Sequence, residues 1–302
     1  MMKNNWLLAT FSGLLLSISW PYTGSITPLI FFAFIPLLLI EDNLFKQGKY
    51  SFWSAYKYGY PAFLIFNIIT TYWIYNVDES MGTKLFSAGS AIILNAAFMN
   101  VAFALFHVTR SRIGSKEGYI GFLIYWLSWE YLHLNWELSW PWLTFGNVFS
   151  LHPEWIQWYS YTGILGGSLF IMSINIFFFF AIQSHISQQR AKRNSYLILI
   201  LFSFVLSILF SFYSRNSIPV DGNAMEIVLV QPNIDPYNEK FDLESSDVRL
   251  LKMLEQAESM MTEKTKLILF PETSLQERTT LYPKNDSIIY IGLWENDIEQ
   301  SN

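Results

Sequence analysis

Cysteine is absent from all 302 residues. Within them there is therefore no disulfide framework, no thiolate metal site and no cysteine nucleophile. Charge is scarce as well: Asp, Glu, Lys and Arg make up 14% of the chain, against about 25% in soluble domains. Histidine occurs only as His107, His133, His152 and His185, too scattered for metal-ligand spacing. The soluble part has no cluster of positive charge, which excludes a nucleic-acid partner. Apolar residues fill the space instead, at 52% hydrophobic and 18% aromatic. This is the balance of a membrane protein.

The few charges divide the chain in two. Residues 1–213 hold 11 Lys/Arg and 8 Asp/Glu, a net of +3, whereas residues 214–302 hold 8 and 16, a net of −8. A membrane body followed by a soluble one explains the asymmetry. Seven apolar stretches approach the ~20 residues that a bilayer core requires: Trp6–Trp20, Ile26–Ile40, Phe52–Tyr75, Leu85–Val108, Tyr119–Trp136, Gly163–Gln183 and Ser195–Tyr213. The first two are short and joined by W-P-Y-T-G, so they read either as two spans or as a shallow hairpin. The first resembles a signal peptide with Lys3 before it, but no small-x-small cleavage site follows, and an uncleaved anchor is expected.

Orientation follows from Lys and Arg in the connecting segments. Lys3, Lys46, Lys49, Arg110, Arg112, Lys116, Arg190, Lys192 and Arg193 fall in alternate segments, while those between them carry only Lys84. The expected topology has a cytoplasmic N-terminus and residue 214 onward outside, on the periplasmic face of a bacterial inner membrane. The spans show no paired intramembrane charges and no inverted repeat, so they give transport little support.

Three local features carry chemistry, each with two readings. The loop Glu137–Tyr161 bears Trp140, Trp142, Trp155, Trp158 and Tyr159: an ordinary aromatic belt, or a lipid-facing rim beside an active site. Glu130 lies inside the fifth span, as a functional intramembrane carboxylate or as half of a buried Glu130–His133 pair. The third is K-L-I-L-F-P-E-T-S-L at Lys266–Leu275. Lys266–Phe270 reads as a buried strand that Pro271 ends, and Glu272 follows at its carboxyl edge. Ligands bind at that edge in open α/β sheets. Glu272 is there either a helix-entry carboxylate or a desolvated general base.

After the linker at residues 214–224, Glu226–Val230 reads as a strand. Asp247–Glu263 reads as a helix with one apolar face at positions 250, 251, 254, 257, 260 and 261. Strand, helix and strand in about 45 residues make a βαβ unit with parallel strands. Ser287–Ile291 reads as a further strand and Trp294–Glu299 as a helix start. So few elements cannot cover both faces of a parallel sheet, so the domain at 225–302 is expected to be incomplete.

Taken together, these motifs resemble the apolipoprotein N-acyltransferases, membrane-bound members of the nitrilase superfamily. The resemblance rests on seven leading spans, W-P-Y at Trp20–Tyr22, S-W-P-W-L-T-F-G at Ser139–Gly146, V-Q-P-N-I at Val230–Ile234, K-F at Lys240–Phe241 and F-P-E at Phe270–Glu272. It implies a transmembrane helical domain at 1–213, a linker at 214–224 and a partial nitrilase-like domain at 225–302. It also implies a Glu-Lys-Cys triad, which moves an acyl chain from a phospholipid to the cysteine as a thioester. The chain then passes to the α-amine of a diacylglyceryl lipoprotein. Glu272 matches the family's general base. Phe241 stands where the family shows Trp, keeping an aromatic wall without the indole N–H, and with Trp142 it is the expected substrate-side contact. No residue here matches the family's Lys or Cys, so the chain is expected to be inactive alone, with a second polypeptide a possible source of the rest. The implied partners are the phospholipid donor, the lipoprotein acceptor and membrane lipids; no cofactor or metal is implied. The alternative is a non-catalytic membrane protein, a transporter or a decayed scaffold, with a small periplasmic domain.

Overall fold

An apolar setting leaves backbone N–H and C=O groups without water, and a helix satisfies them locally. The computed structural model describes residues 4–76, 80–217, 224–233 and 246–271, which fall into two units, Met1–Pro219 and Val220–Asn302. The first unit contains α1 (Asn5–Ser19), a 3-10 segment Thr27–Phe32 leading into α2 (Ile35–Lys46), and α3 (Phe52–Thr71). After α3 come a 3-10 turn at Tyr72–Asn76, α4 (Met81–Arg112), α5 (Ser115–Leu134), α6 (Tyr159–Ile186) and α7 (Arg190–Ser217).

Four stretches are long and apolar enough to cross a membrane: Thr27–Lys46, Met81–Arg112, Tyr159–Ile186 and Arg190–Arg215. The other three expected crossings form helices that do not meet that standard. Helix α1 has 15 residues, about 22 Å of axis, short of the ~30 Å core. Helix α3 carries Lys57 and Pro61, and α5 carries Lys116, Glu117 and Glu130 within 20 residues each.

The helices pack around aromatic rings. Phe34, at the start of α2, meets Phe63, Phe122, Trp126 and Phe145 at ring-centroid distances of 5.1–6.4 Å. The helix interruption before α2 leaves Phe34 N–H without a helical acceptor and Ile30 C=O with only a long bond from Ala33 N–H at 3.3 Å. Asn175 on α6 satisfies both: its Oδ1 accepts from Phe34 N–H at 2.9 Å and its Nδ2 donates to Ile30 C=O at 2.9 Å. One amide thereby repairs the discontinuity and pins α6 to it.

Charges gather at one end of the bundle. Arg110 on α4 donates to Glu41 and, at 3.2 Å, to Asp42, both buried on α2. His107 bridges Glu41 Oε1 at 3.0 Å and Lys49 C=O at 2.6 Å. Lys46 and Gln183 complete the shell of Asp42 at 2.5 and 3.1 Å. These charges lie just past the expected spans Ile26–Ile40 and Leu85–Val108, at the ends of the longer membrane-capable stretches Thr27–Lys46 and Met81–Arg112. Glu41 and Arg110 lie 69 positions apart, a distance that hides the pairing from any local pattern.

The second unit has β1 (Glu226–Leu229), α8 (Ser246–Met260) and β2 (Thr265–Leu269), and the strands pair in parallel, Ile227 opposite Leu267 and Leu229 opposite Leu269. Met253 and Ala257 of α8 are buried with Val228 and Val230, and Leu250, Ile268 and Phe270 pack around them. The helix face differs from the expected one. Its buried stripe runs through 250, 253, 254 and 257, while Leu251, Met260 and Met261 are exposed. A two-stranded sheet covers only a narrow stripe, so apolar residues on its flanks stay outside. The Glu226 carboxylate accepts from the hydroxyls of Thr262 and Thr265 at 2.6 and 2.5 Å, which hold it below the usual carboxylate range. The expected strand Ser287–Ile291 and the helix start Trp294–Glu299 lie outside the described residues.

Candidate functional site

Glu130 stands on α5 with 4% of its surface exposed. A buried carboxylate needs donors, and two converge on one oxygen. Trp126 Nε1, one helical turn earlier, donates to Oε1 at 3.0 Å, and the backbone N–H of Phe145 donates to the same oxygen at 2.9 Å. The Ser168 hydroxyl lies beside the carboxyl group and accepts from Gly146 N–H at 3.1 Å. Tyr159 donates from its hydroxyl to Gly146 C=O at 3.0 Å. Helices α5 and α6 thus grip the backbone of Phe145–Gly146 from both sides. Position 146 must be glycine for this approach, because a Cβ there would come within 2.2 Å of Ile164 C=O.

The grip turns part of the Trp-rich loop inward. Phe145 is fully buried and stacks on Trp126 at 4.7 Å with the ring planes 8° apart, and Leu143, Val148 and Phe149 are buried with it. Proline-started 3-10 turns at Pro141–Leu143 and Pro153–Trp155, with one at Phe145–Phe149 between them, shape the segment. Only the rims of this loop stay at the surface, where both readings of it place its tryptophans. Trp142 is 52% exposed, with its ring edge-on to Trp140 at 4.8 Å and to Trp73 at 5.6 Å. Asn147 Nδ2 donates to the carbonyls of Pro141 and Trp142 at 2.9 and 3.3 Å, so the turn presenting Trp142 is braced. An apolar yet rigid and accessible surface of three indoles results, suited to amphipathic ligands.

Glu130 and His133 do not form the expected pair. Trp136 Nε1 donates to His133 Nδ1 at 2.9 Å, and His133 Nε2 stands 2.8 Å from Asn95 Oδ1. An indole N–H only donates, so Nδ1 is the acceptor and the proton sits on Nε2: the ring is neutral. The chain of donors continues from Asn95 Nδ2 to Asn67 Oδ1 at 2.5 Å and from Asn67 Nδ2 to Phe63 C=O at 2.8 Å. The two residues are three apart on α5, yet tertiary partners claim each separately. The cavity between Glu130, His133 and Asn95 measures only about 10 Å3, too small for a substrate group. Glu130 is accordingly a structural acceptor that positions the loop. The one available signal was F-G at Phe145–Gly146 inside a Trp-rich loop, and nothing in it specifies a carboxylate partner.

In the second unit the sheet edge after β2 is defined through Pro271. Val230 N–H donates to Leu269 C=O at 2.9 Å, extending the pairing past β1, and Phe270 packs under the sheet. Asn233 of V-Q-P-N-I has a positive φ of 52°, a conformation asparagine tolerates better than most residues. Glu272 and Phe241 lie outside the described residues. Of the three expected site residues, only Trp142 therefore has a defined position. Among the described residues, no group of His, Asp or Glu is arranged to hold a metal ion.

A bundle with membrane-crossing helices, a braced indole rim and a small parallel βαβ unit defines the class: a membrane protein with an appended α/β unit. The sequence model of the apolipoprotein N-acyltransferase N-terminal domain matches residues 12–177, more than half of the chain, and the chain belongs to that family. The apolipoprotein N-acyltransferase of Chlorobaculum tepidum is 24% identical over 278 residues, covering 91% of this chain and 50% of its own length. That of Geobacter metallireducens is 26% identical over 243 residues, covering 80% of this chain and 45% of its own. The chain thus spans about half the length of the curated relatives it matches. No solved structure matches it.

Proposed function

We propose that these residues form the membrane bundle and the base-bearing edge of an apolipoprotein N-acyltransferase, with Glu272 as general base. Family membership over residues 12–177 supports the bundle, and the F-P-E motif at Phe270–Glu272 supports the base. In it, all seven helices cross the inner membrane, the N-terminus is cytoplasmic, and the second unit is the start of a periplasmic nitrilase-like domain.

The chemistry runs in two balanced halves. Glu272 takes the proton of a cysteine thiol, and the thiolate attacks the ester carbonyl of a phospholipid. The C–O bond breaks, the proton goes to the glycerol oxygen, and a lysophospholipid leaves a thioester behind. Glu272 then takes a proton from the α-amine of a diacylglyceryl lipoprotein as that amine attacks the thioester. The C–S bond breaks, the amide forms, and the proton returns to sulfur. A lysine stabilises the oxyanion in both halves. These 302 residues contain no cysteine, so the nucleophile must come from residues outside them, in the same or a second polypeptide. Phe241 and Trp142 are the proposed substrate-side contacts, each from its place in a family motif.

The test is acylation of a diacylglyceryl lipoprotein in membranes of a strain lacking its own enzyme. This polypeptide alone is expected to give no product. Product is expected once a segment with the family's Lys and Cys is co-expressed, and Glu272→Gln should abolish it. Product from the 302 residues alone would sink the proposal. Topology is testable on the same chain. Because it lacks cysteine, single cysteines introduced at Tyr22 and Gln188 report from a clean background. Tyr22 should label from the outside and Gln188 only after permeabilisation.

A further inference from the structure

A second feature of the bundle lies apart from the indole rim. Between α5, α6 and α7 runs a fissure of about 370 Å3, within the range of small-ligand sites. Leu123, Ile176, Phe177 and Phe180 form its walls, with Lys116 and Tyr196 also lining it. From Lys116 to Leu123 the fissure follows α5 for about 10 Å of axis, the reach of the upper half of an acyl chain. Its third wall is poorly covered by protein. Only Tyr196 of α7 lines it, and Leu197, Ile198, Leu201 and Phe202 of the same helix are 44–65% exposed, as on a lipid-facing helix.

At the Lys116 end the Glu41, Asp42 and Arg110 cluster lies against Tyr119 and is internally paired, and two further basic side chains stand outside it. Lys116 is exposed and has no ion-pair partner among the described residues. Lys192 is also exposed and precedes Tyr196 by four residues, one helical turn along the same face. Glu117, the neighbour of Lys116 in sequence, folds its carboxylate back to within 2.5 Å of where a Cβ of Gly114 would stand. No Asp or Glu lines the fissure. An apolar slot between helices with unpaired basic groups at its mouth suits an acyl chain below a phosphate. A purely apolar occupant would leave those cations unused.

We propose that this fissure binds one acyl chain of an anionic glycerophospholipid, with the lipid phosphate held at Lys116 and Lys192. The lipid comes from the leaflet at the Lys- and Arg-rich end. The site does not depend on the acyl-transfer reading, since it uses none of the residues assigned to that chemistry.

The test is native mass spectrometry of the full detergent-purified chain. It is offered phosphatidylglycerol or phosphatidylethanolamine with identical acyl chains. Retention of phosphatidylglycerol should exceed that of phosphatidylethanolamine several-fold. Lys116→Glu should lower it about tenfold, because an attractive positive charge beside the phosphate is replaced by a repulsive negative one. Ser173→Trp, which fills the apolar end, should remove both lipids. A photoactivatable phosphatidylglycerol should cross-link to peptides of α5, α6 or α7, with inorganic phosphate failing to compete. If Ser173→Trp does not fold, the Lys116→Glu comparison and the cross-link map still decide. Equal retention of the two lipids, indifference to Lys116→Glu, cross-links confined to other helices, or a dimer that occludes α7 would each overturn the proposal.

Discussion

The helical unit and the βαβ unit solve the same problem with unequal means. In the first, buried polar groups are matched across helices that are distant in sequence: Arg110 with Glu41 and Asp42, Glu130 with Phe145 N–H, Asn175 with both sides of a helix interruption. Among the described residues of the second, the buried cluster is four side chains, Val228, Val230, Met253 and Ala257. The described part of its sheet has α8 on one face, while Ile227, Leu229 and Leu269 remain 43–73% exposed on the strands. Among the described residues, one region draws its definition from many buried long-range polar matches, the other from a narrow apolar contact and the exposed Glu226–Thr262–Thr265 hydrogen bonds. Substitutions should therefore cost more in the first and depend more on the face in the second.

The largest effect is expected for Arg110→Ala. It leaves Glu41 and Asp42 buried with fewer partners, a loss of about 3–5 kcal/mol, read as a lower unfolding midpoint in detergent. A cost below about 1 kcal/mol would mean that water reaches the cluster, and the contrast between the units would fail. Glu130→Leu ranks next at about 2–4 kcal/mol, because Trp126 N–H and Phe145 N–H lose their acceptor. Glu130→Gln keeps an acceptor oxygen and should recover most of that loss. A glutamine as damaging as leucine would show that the charge, rather than the hydrogen bonds, holds the loop.

Met253→Ala should cost about 2 kcal/mol, the low end for a buried methionine, since so small a core relaxes easily. Its signature is faster exchange of the β1 and β2 amides, with the helical unit untouched. Leu229→Thr on the exposed strand face should change stability by less than about 0.5 kcal/mol; a large loss would reveal a partner for that face. The smallest effect concerns pH. Thr262 and Thr265 lower the Glu226 carboxyl, so their contribution is present at neutral pH and lost as pH falls through its depressed midpoint. Thr262→Val should move that midpoint, followed by NMR, back toward the ordinary carboxylate range.

Legibility in the sequence tracked how local each interaction is. Helix positions were readable because apolar runs and their breaks are continuous stretches, and the strand–helix–strand order was readable from spacing alone. The face of α8 was misjudged at 251, 260 and 261, because periodicity reports apolar residues and not the width of the surface that will cover them. The Glu130–His133 pairing failed for a related reason. Spacing on one helix puts two side chains near each other, but Phe145, Trp136 and Asn95 compete for them and win by geometry. Trp142 was identifiable as a rim residue from composition, yet its bracing by Trp73, Trp140 and Asn147 was not.

By itself, the sequence determined that this chain has an apolar helical region and a small acidic α/β region, that no thiol chemistry can occur within these residues, and that the motifs follow a family order. Those properties depend on composition and on neighbours along the chain. The tertiary structure alone decided that a Trp-rich loop folds back onto Glu130, that charges 69 positions apart share one buried cluster, and that α5, α6 and α7 leave an apolar fissure. A buried polar group takes whichever partner the packed helices bring within about 3 Å, and no local pattern encodes which one that will be.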